Sequence, residues 1–260
     1  MKRPLLRGLF LCLYYLHMEI ITAQNLTKDY DGFRAVDNVD FSITRGEFFG
    51  FLGPNGAGKT TIMRMLYCFM PPTAGTVRVL GQDVTKDPSL TKSRMGVMPQ
   101  DDSLDPDLSV IQNLVVYARY FDIPKKRSAP LARELLKSVG LTEKTNEKIR
   151  NLSGGMKRSL LLVRSLVNDP EIIILDEPTT GLDPHSRQTV WRRLSDLQAR
   201  GKTLLLTTHY MEEAQRLCDR VAIMDRGKII VIASPQELMD RHGGNLEDVY
   251  LKLTGRKLES

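Results

Sequence analysis

Nine residues beginning at Gly53, GPNGAGKTT, combine the charge and the backbone freedom needed to hold a phosphate. They satisfy GxxxxGK[ST] in full, between the apolar run EFFGFL and a helical pattern, which is the strand–loop–helix setting in which that motif acts. Gly53, Gly56 and Gly58 let N–H groups turn inward where a Cβ would collide, with Pro54, Asn55 and Ala57 between them. Lys59 supplies a point charge for the β- and γ-phosphates and Thr60 a hydroxyl for Mg²⁺. Thr61 follows in the first turn of a helix whose dipole adds to the field.

A second centre lies far along the chain, in IIILDEP. Asp176 can hold the shell of a Mg²⁺ ion, and Glu177 can polarise a water for in-line attack on a γ-phosphate. Successive strand residues point opposite ways, so both acids reach one site only if the chain turns at the strand end. Standing alone, the pair would read equally well as solvated acids. His209 ends the run TLLLTT and can donate to the γ-phosphate, although an isolated histidine is more often structural. Gln100, in GVMPQDDSLDP, can contact Mg²⁺ or the attacking water. A third feature is LSGGM at 152–156, in which Ser153 is a natural N-cap before an apolar helix.

Short apolar runs at 47–52, 172–175, 203–207 and 221–224 alternate with helical patterns at 59–69, 184–200 and 211–218. This alternation predicts an α/β domain with a largely parallel central sheet. Residues 19–50 read as antiparallel β around a DG turn at Asp31 and Gly32, and residues 101–165 as an inserted helical subdomain. Within that insert the polar stretch DIPKKRSAP separates two helices. The domain is expected to span 18–240, followed by a short polar tail at 241–260 that leaves no room for a regulatory domain.

The net charge of +6 comes from basic residues spread along the chain, which argues against a nucleic-acid partner. Three cysteines without CxxC spacing indicate reduced thiols rather than a zinc site or disulfide framework. Residues 1–17 place basic side chains before an apolar run at 9–16, too short for the roughly 20 residues that span a bilayer. Met18 stands just before the first strand pattern, so 1–17 reads as an extension outside the domain, with a weak membrane-touching segment as the alternative.

Taken in order, these elements resemble the nucleotide-binding subunits of ABC transporters over roughly residues 18–240. The resemblance implies a P-loop NTPase fold of the ABC ATPase type, with a mixed central sheet, an antiparallel β subdomain and an inserted helical subdomain. It implies ATP and Mg²⁺ as cofactors, with Thr60, Gln100 and Asp176 on the metal and Glu177, His209 and Gln100 in catalysis. Tyr30 matches the aromatic residue that stacks on adenine, Gln100 the Q-loop, TTGLD at 179–183 the D-loop with Asp183, and His209 the switch histidine. LSGGM matches the signature, so Ser153, Gly154, Gly155 and Met156 would cap the nucleotide of a second copy in a head-to-tail homodimer.

MPQDDSLDPDLSVIQNLVVYARYF, TTGLDPHSRQTVW and EDVYLKLTG are most similar to exporters with ABC-2 type permeases, the nodulation-factor type especially. That branch implies a peripheral subunit on the cytoplasmic face of the inner membrane, bound to an ABC-2 permease through the helical insert and the acids after Gln100. Met156 replaces the commoner glutamine and Gly181 an alanine, both usual in this branch. The alternatives are a soluble ABC ATPase acting on nucleic acid or ribosomes, opposed by a single P-loop and no heptad run, and an importer ATPase.

Overall fold

Along the central strands, side chains alternate between two separate cores. In the computed structural model, which describes residues 18–255, strand β3 (Phe48–Leu52) sends Phe48 and Leu52 to one apolar cluster and Phe49 and Phe51 to another. The same period-2 split runs through β7 (Ile172–Asp176), β8 (Thr203–Thr208) and β9 (Arg220–Asp225). A sheet covered on both faces must be apolar on both, which is why these strands read as unbroken hydrophobic runs. With β6 (Met95–Met98) and β10 (Lys228–Ala233) they form a six-stranded sheet in the order β10-β9-β3-β8-β7-β6. Only the β9–β10 pairing is antiparallel.

A second sheet of four antiparallel strands, β2-β1-β4-β5, covers one side: β1 (Glu19–Tyr30), β2 (Phe33–Thr44), β4 (Ala74–Val79) and β5 (Gln82–Asp83). Helix α1 (Lys59–Leu66) lies in the same core, contributing Ile62, Met63, Met65 and Leu66. The β1–β2 hairpin turns at Asp31 (φ 41°) and Gly32 (φ 91°), the two positive φ values that a DG turn supplies. Tyr30 and Phe33 pair directly across it.

On the opposite face lie α3 (Val110–Arg119), α4 (Lys125–Ser138), α5 (Gly154–Arg164), α6 (Pro184–Ala199) and α7 (Met211–Leu217). A short helix, α2 (Pro88–Ser93), precedes β6. Two 3₁₀ turns, Thr142–Lys144 and Ile149–Asn151, connect α4 to α5.

The structure departs from the sequence expectations in several places. The helix expected over 59–69 stops at Leu66 because Cys68 adopts a left-handed φ of 59°. The Phe69 N–H then bonds to the Arg64 carbonyl at 2.8 Å and the Cys68 N–H to Met65 at 3.2 Å, a Schellman closure. DIPKKRSAP is mostly helical, since α4 starts at Lys125 and includes Pro130. The tail expected from 241 is instead structural: α8 (Pro235–His242) and α9 (Leu246–Thr254) fold back and bury Leu238, Leu246, Val249 and Tyr250 in the larger core. The extension expected at 1–17 lies outside the described residues.

Candidate functional site

Parallel pairing brings the ends of four strands to one edge. Leu52 pairs with Thr208, Asp176 with Thr207 and Met98 with Leu175, so the segments that follow β3, β8, β7 and β6 emerge side by side. Ligands of parallel α/β sheets sit at this edge. The cleft there, about 390 Å³, is lined by Tyr30, Phe33, Ala35, Asn55, Gly56, Ala57, Gly58, Lys59, Thr60, Thr61, Gln100 and Glu177.

The loop before α1 owes its shape to its glycines. Gly56 and Gly58 have φ of 80° and 101°. A Cβ on Gly58 would stand 2.5 Å from the Ala35 carbonyl, and one on Gly53 would stand 2.4 Å from that of Met224. Gly58 caps α1 with no side chain, so the first-turn N–H groups stay open toward the cleft. Lys59 is buried, and its Nζ donates to the carbonyls of Gly53 at 2.7 Å and Pro54 at 2.9 Å. Burial pushes its ammonium below the usual lysine range, while Glu177 and Asp176 pull it back up. A cation held so cheaply by two neutral carbonyls is free to exchange them for an anion.

Both acids of IIILDEP face this loop. Asp176 accepts from Thr60 Oγ1 at 3.1 Å and from the Thr207 hydroxyl. Burial raises its carboxyl above the usual range, Glu177 adds to the rise, and the two threonine hydroxyls oppose it. Glu177 resolves the strand-alternation problem through its backbone, with a left-handed φ of 48°. Such a turn costs about 1–3 kcal/mol for a residue with a Cβ and persists only when its surroundings hold it. Here the Glu177 N–H donates to the Thr207 carbonyl at 3.1 Å, and its carbonyl accepts from Arg158 Nη2 at 2.8 Å.

The Glu177 carboxylate is buried at the cleft wall. Oε2 accepts from Gln100 Nε2 at 3.3 Å and Thr180 Oγ1 at 3.1 Å, and Oε1 lies 3.4 Å from His209 Nδ1 without the alignment of a hydrogen bond. Gln100, Glu177 and His209 are thus brought together. Tyr30 stands at the cleft mouth, its hydroxyl 2.8 Å from Met70 Sδ. Opposite it the hairpin presents Phe33, 65% exposed, a residue that sequence reasoning missed although the DG turn implies a ring on each side.

The signature residues do not line the cleft. Ser153 caps α5 by accepting from the Met156 N–H at 3.3 Å, and Gly154 faces a separate, open depression with Lys157, Arg158 and Gly181. Asp183 is also elsewhere: the Ser186 hydroxyl donates to it at 2.5 Å, and it caps α6 through the N–H groups of Ser186 and His185 at 3.0 Å, which together hold its carboxyl below the usual range. Arg158 was not singled out from sequence, yet it ties α5 to the site. Besides Glu177 it donates to the carbonyls of Pro99 at 3.1 Å and Gln100 at 2.8 Å. Burial lowers its guanidinium below the usual range, with Glu177 the largest opposing charge.

Known proteins resemble this chain in sequence and in fold. Residues 36–180 match the family model described as ABC transporter. The chain is 49% identical over 86% of its length to the Nod factor export ATP-binding protein I of Mesorhizobium japonicum, spanning 66% of that relative. It is 44% identical over 89% of its length to the protein of the same name from Cupriavidus metallidurans, spanning 77% of it. Among solved structures, an ATP-binding subunit of an ABC transporter superposes with a TM-score of 0.82 at 25% identity, covering 90% of this chain and 99% of that one. A bacterial ABC transporter cassette solved as a dimer gives 0.76 at 28% identity, covering 82% and 98%.

Proposed function

Because the chain belongs to the ABC transporter family, we propose that it is the ATP-hydrolysing subunit of a membrane exporter, working as a head-to-tail pair on a separate permease. The observation that carries this reading is Glu177, a buried acid turned by a left-handed backbone into a phosphate-loop cleft and flanked by Gln100, Thr180 and His209. In that position it accepts the proton of a water attacking the γ-phosphate while His209 donates to the departing charge. Lys59 exchanges its two carbonyl acceptors for phosphate oxygens, and the open N–H groups before α1 take the β-phosphate. Tyr30 and Phe33 offer rings to the base.

The residues present fit Mg²⁺. Thr60 and Asp176 are hard oxygen donors already 3.1 Å apart, and Gln100 is a third within the same cleft. Among the described residues no three His, Cys, Asp or Glu gather as a metal cage, as suits an ion that keeps waters and phosphate oxygens. Once bound, the metal would neutralise phosphate charge.

Pairing is supported by the position of Ser153 and its glycines outside the chain's own cleft and by the dimer seen in a similar cassette. A permease is supported by the names of the relatives and by a groove between the loop 101–108 and α3. Phe69, Val116 and Tyr120 are exposed along that groove. No helix among the described residues is long and apolar enough to cross a membrane. A peripheral subunit on the cytoplasmic face of the inner membrane, bound to an ABC-2 type transmembrane permease, fits these features.

The test is Glu177→Gln. Turnover should fall by about 10²–10⁴-fold with ATP binding retained, and an ATP-bound dimer should accumulate on gel filtration. Undiminished hydrolysis would remove Glu177 from its role.

A further inference from the structure

One acid that the sequence did not single out is more deeply buried than either acid of IIILDEP. Glu213, on α7 one turn after His209, is fully buried, and its Oε1 accepts from Thr179 Oγ1 at 2.7 Å and from Trp191 Nε1 at 2.9 Å. Glu213 itself stands on the helix that begins directly after Tyr210, while its other oxygen, Oε2, is buried without a hydrogen-bond partner among the described residues. Burying a carboxylate is costly unless it is paired and hydrogen-bonded. Both ends of the Thr179–Glu213 bond lead back to Glu177. Thr179 precedes Thr180, whose hydroxyl bonds Glu177 Oε2, and the helix that carries Glu213 follows His209, which flanks Glu177 Oε1. Two loops from different strands therefore close on one catalytic acid from both sides, and one carboxylate anchors both.

A second contact reinforces this tie. The Arg187 guanidinium of α6 lies 4.6 Å over the ring of Tyr210, next to His209, and Arg216 of α7 lies 5.3 Å over Trp191. We propose that Glu213 is a positioning residue for hydrolysis, holding Thr180 and His209 on Glu177 by fastening the 179–183 segment to the loop at 208–210. This rests on the reading of Glu177 as the acid that activates water. Trp191 is the chain's single tryptophan, so its indole N–H makes it a built-in reporter of the latch.

The experiment uses the full chain with Mg-ATP and compares Glu213→Ala, Glu213→Gln and Thr179→Val with the unaltered protein. Misplacing catalytic groups by about an ångström lowers rate without weakening nucleotide contacts. Glu213→Ala should therefore lower kcat on the order of 10- to 100-fold with KM for ATP within about twofold. Glu213→Gln keeps an oxygen for both donors and should restore kcat to within about threefold. Thr179→Val, which leaves the Trp191 bond intact, should lose kcat several-fold and guards against a poorly folded alanine variant. ATP added in the Glu177→Gln background should shift Trp191 emission, and adding Glu213→Ala should abolish that shift.

Unchanged kcat in both Glu213→Ala and Thr179→Val would overturn the proposal. So would a parallel loss of kcat and melting temperature that glutamine fails to rescue. If Glu177→Gln alone kept full turnover, the reading of Glu177 would fail instead, so the two failures are distinguishable.

Discussion

Two helices of this protein begin with glycines, and they begin differently. At α1 the glycines are required by the chain itself, because Gly53 and Gly58 press against the carbonyls of Met224 and Ala35 and Gly58 has a left-handed φ. No side chain caps that helix. At α5, Ser153 supplies its own cap, and a Cβ on Gly154 would meet nothing within 4 Å. One helix start is shaped to leave its N–H groups open inside a cleft of its own chain. The other is complete as a cap, and its smallness at Gly154 answers to no atom of this chain. A glycine without an internal reason fits a surface that something else must approach closely, which is the role proposed for a second copy.

The contrast can be broken first at Gly58. Gly58→Ala combines left-handed strain with a collision against backbone, and should cost about 2–4 kcal/mol, lowering the melting temperature by roughly 5–10 °C. A thermal melt showing no loss would mean that the loop adapts freely. Lys59→Ala leaves the backbone alone and removes one charged contact, so ATP affinity should fall roughly 10- to 100-fold in a fluorescent-nucleotide titration, with the melt of the nucleotide-free chain nearly unchanged.

Gly154→Asp sharpens the other side. An acid in the first turn of α5 suits the helix dipole and should keep or raise stability by about 0.3–1 kcal/mol. Turnover and the ATP-dependent dimer of the Glu177→Gln background should nonetheless be lost, because the acid would face phosphate. A variant that melts lower, or that still dimerises, would put Gly154 back among glycines with internal duties.

The smallest effect is a pH dependence. Burial raises the Glu213 carboxyl, opposed by Thr208, Thr179, Trp191 and Arg187. Its contribution to stability is present below the ordinary glutamate range near about 4.3 and is lost as pH rises through the elevated value in the fold. The melting temperature of Glu213→Gln relative to the unaltered chain should therefore rise with pH from about 5 upward. A flat difference would mean that Glu213 is not shifted.

Much of the site is local and therefore readable. The phosphate loop at 53–61 is one contiguous stretch whose glycines encode its dihedrals, and the DG turn encodes the hairpin that places Tyr30. Arg158 and Glu213 were not readable, since their partners lie 59 residues upstream at Pro99 and 34 upstream at Thr179. No periodicity marks such distant contacts. The α9 helix was missed for a similar reason: its apolar residues are interleaved with polar ones, and Leu246, Val249 and Tyr250 reveal a buried face only once the core they meet exists.

What the sequence by itself determined is therefore the set of chemical groups and the local turns that present them: glycine-permitted left-handed residues, capping side chains and two-sided apolar strands. What only the tertiary structure decided is their meeting. The strand order β3-β8-β7-β6 puts the ends of four segments side by side, and the Thr207 and Arg158 bonds hold Glu177 in a backbone state it would not keep alone. Local preferences are encoded residue by residue, but a strained catalytic turn exists only where distant packing stabilises it.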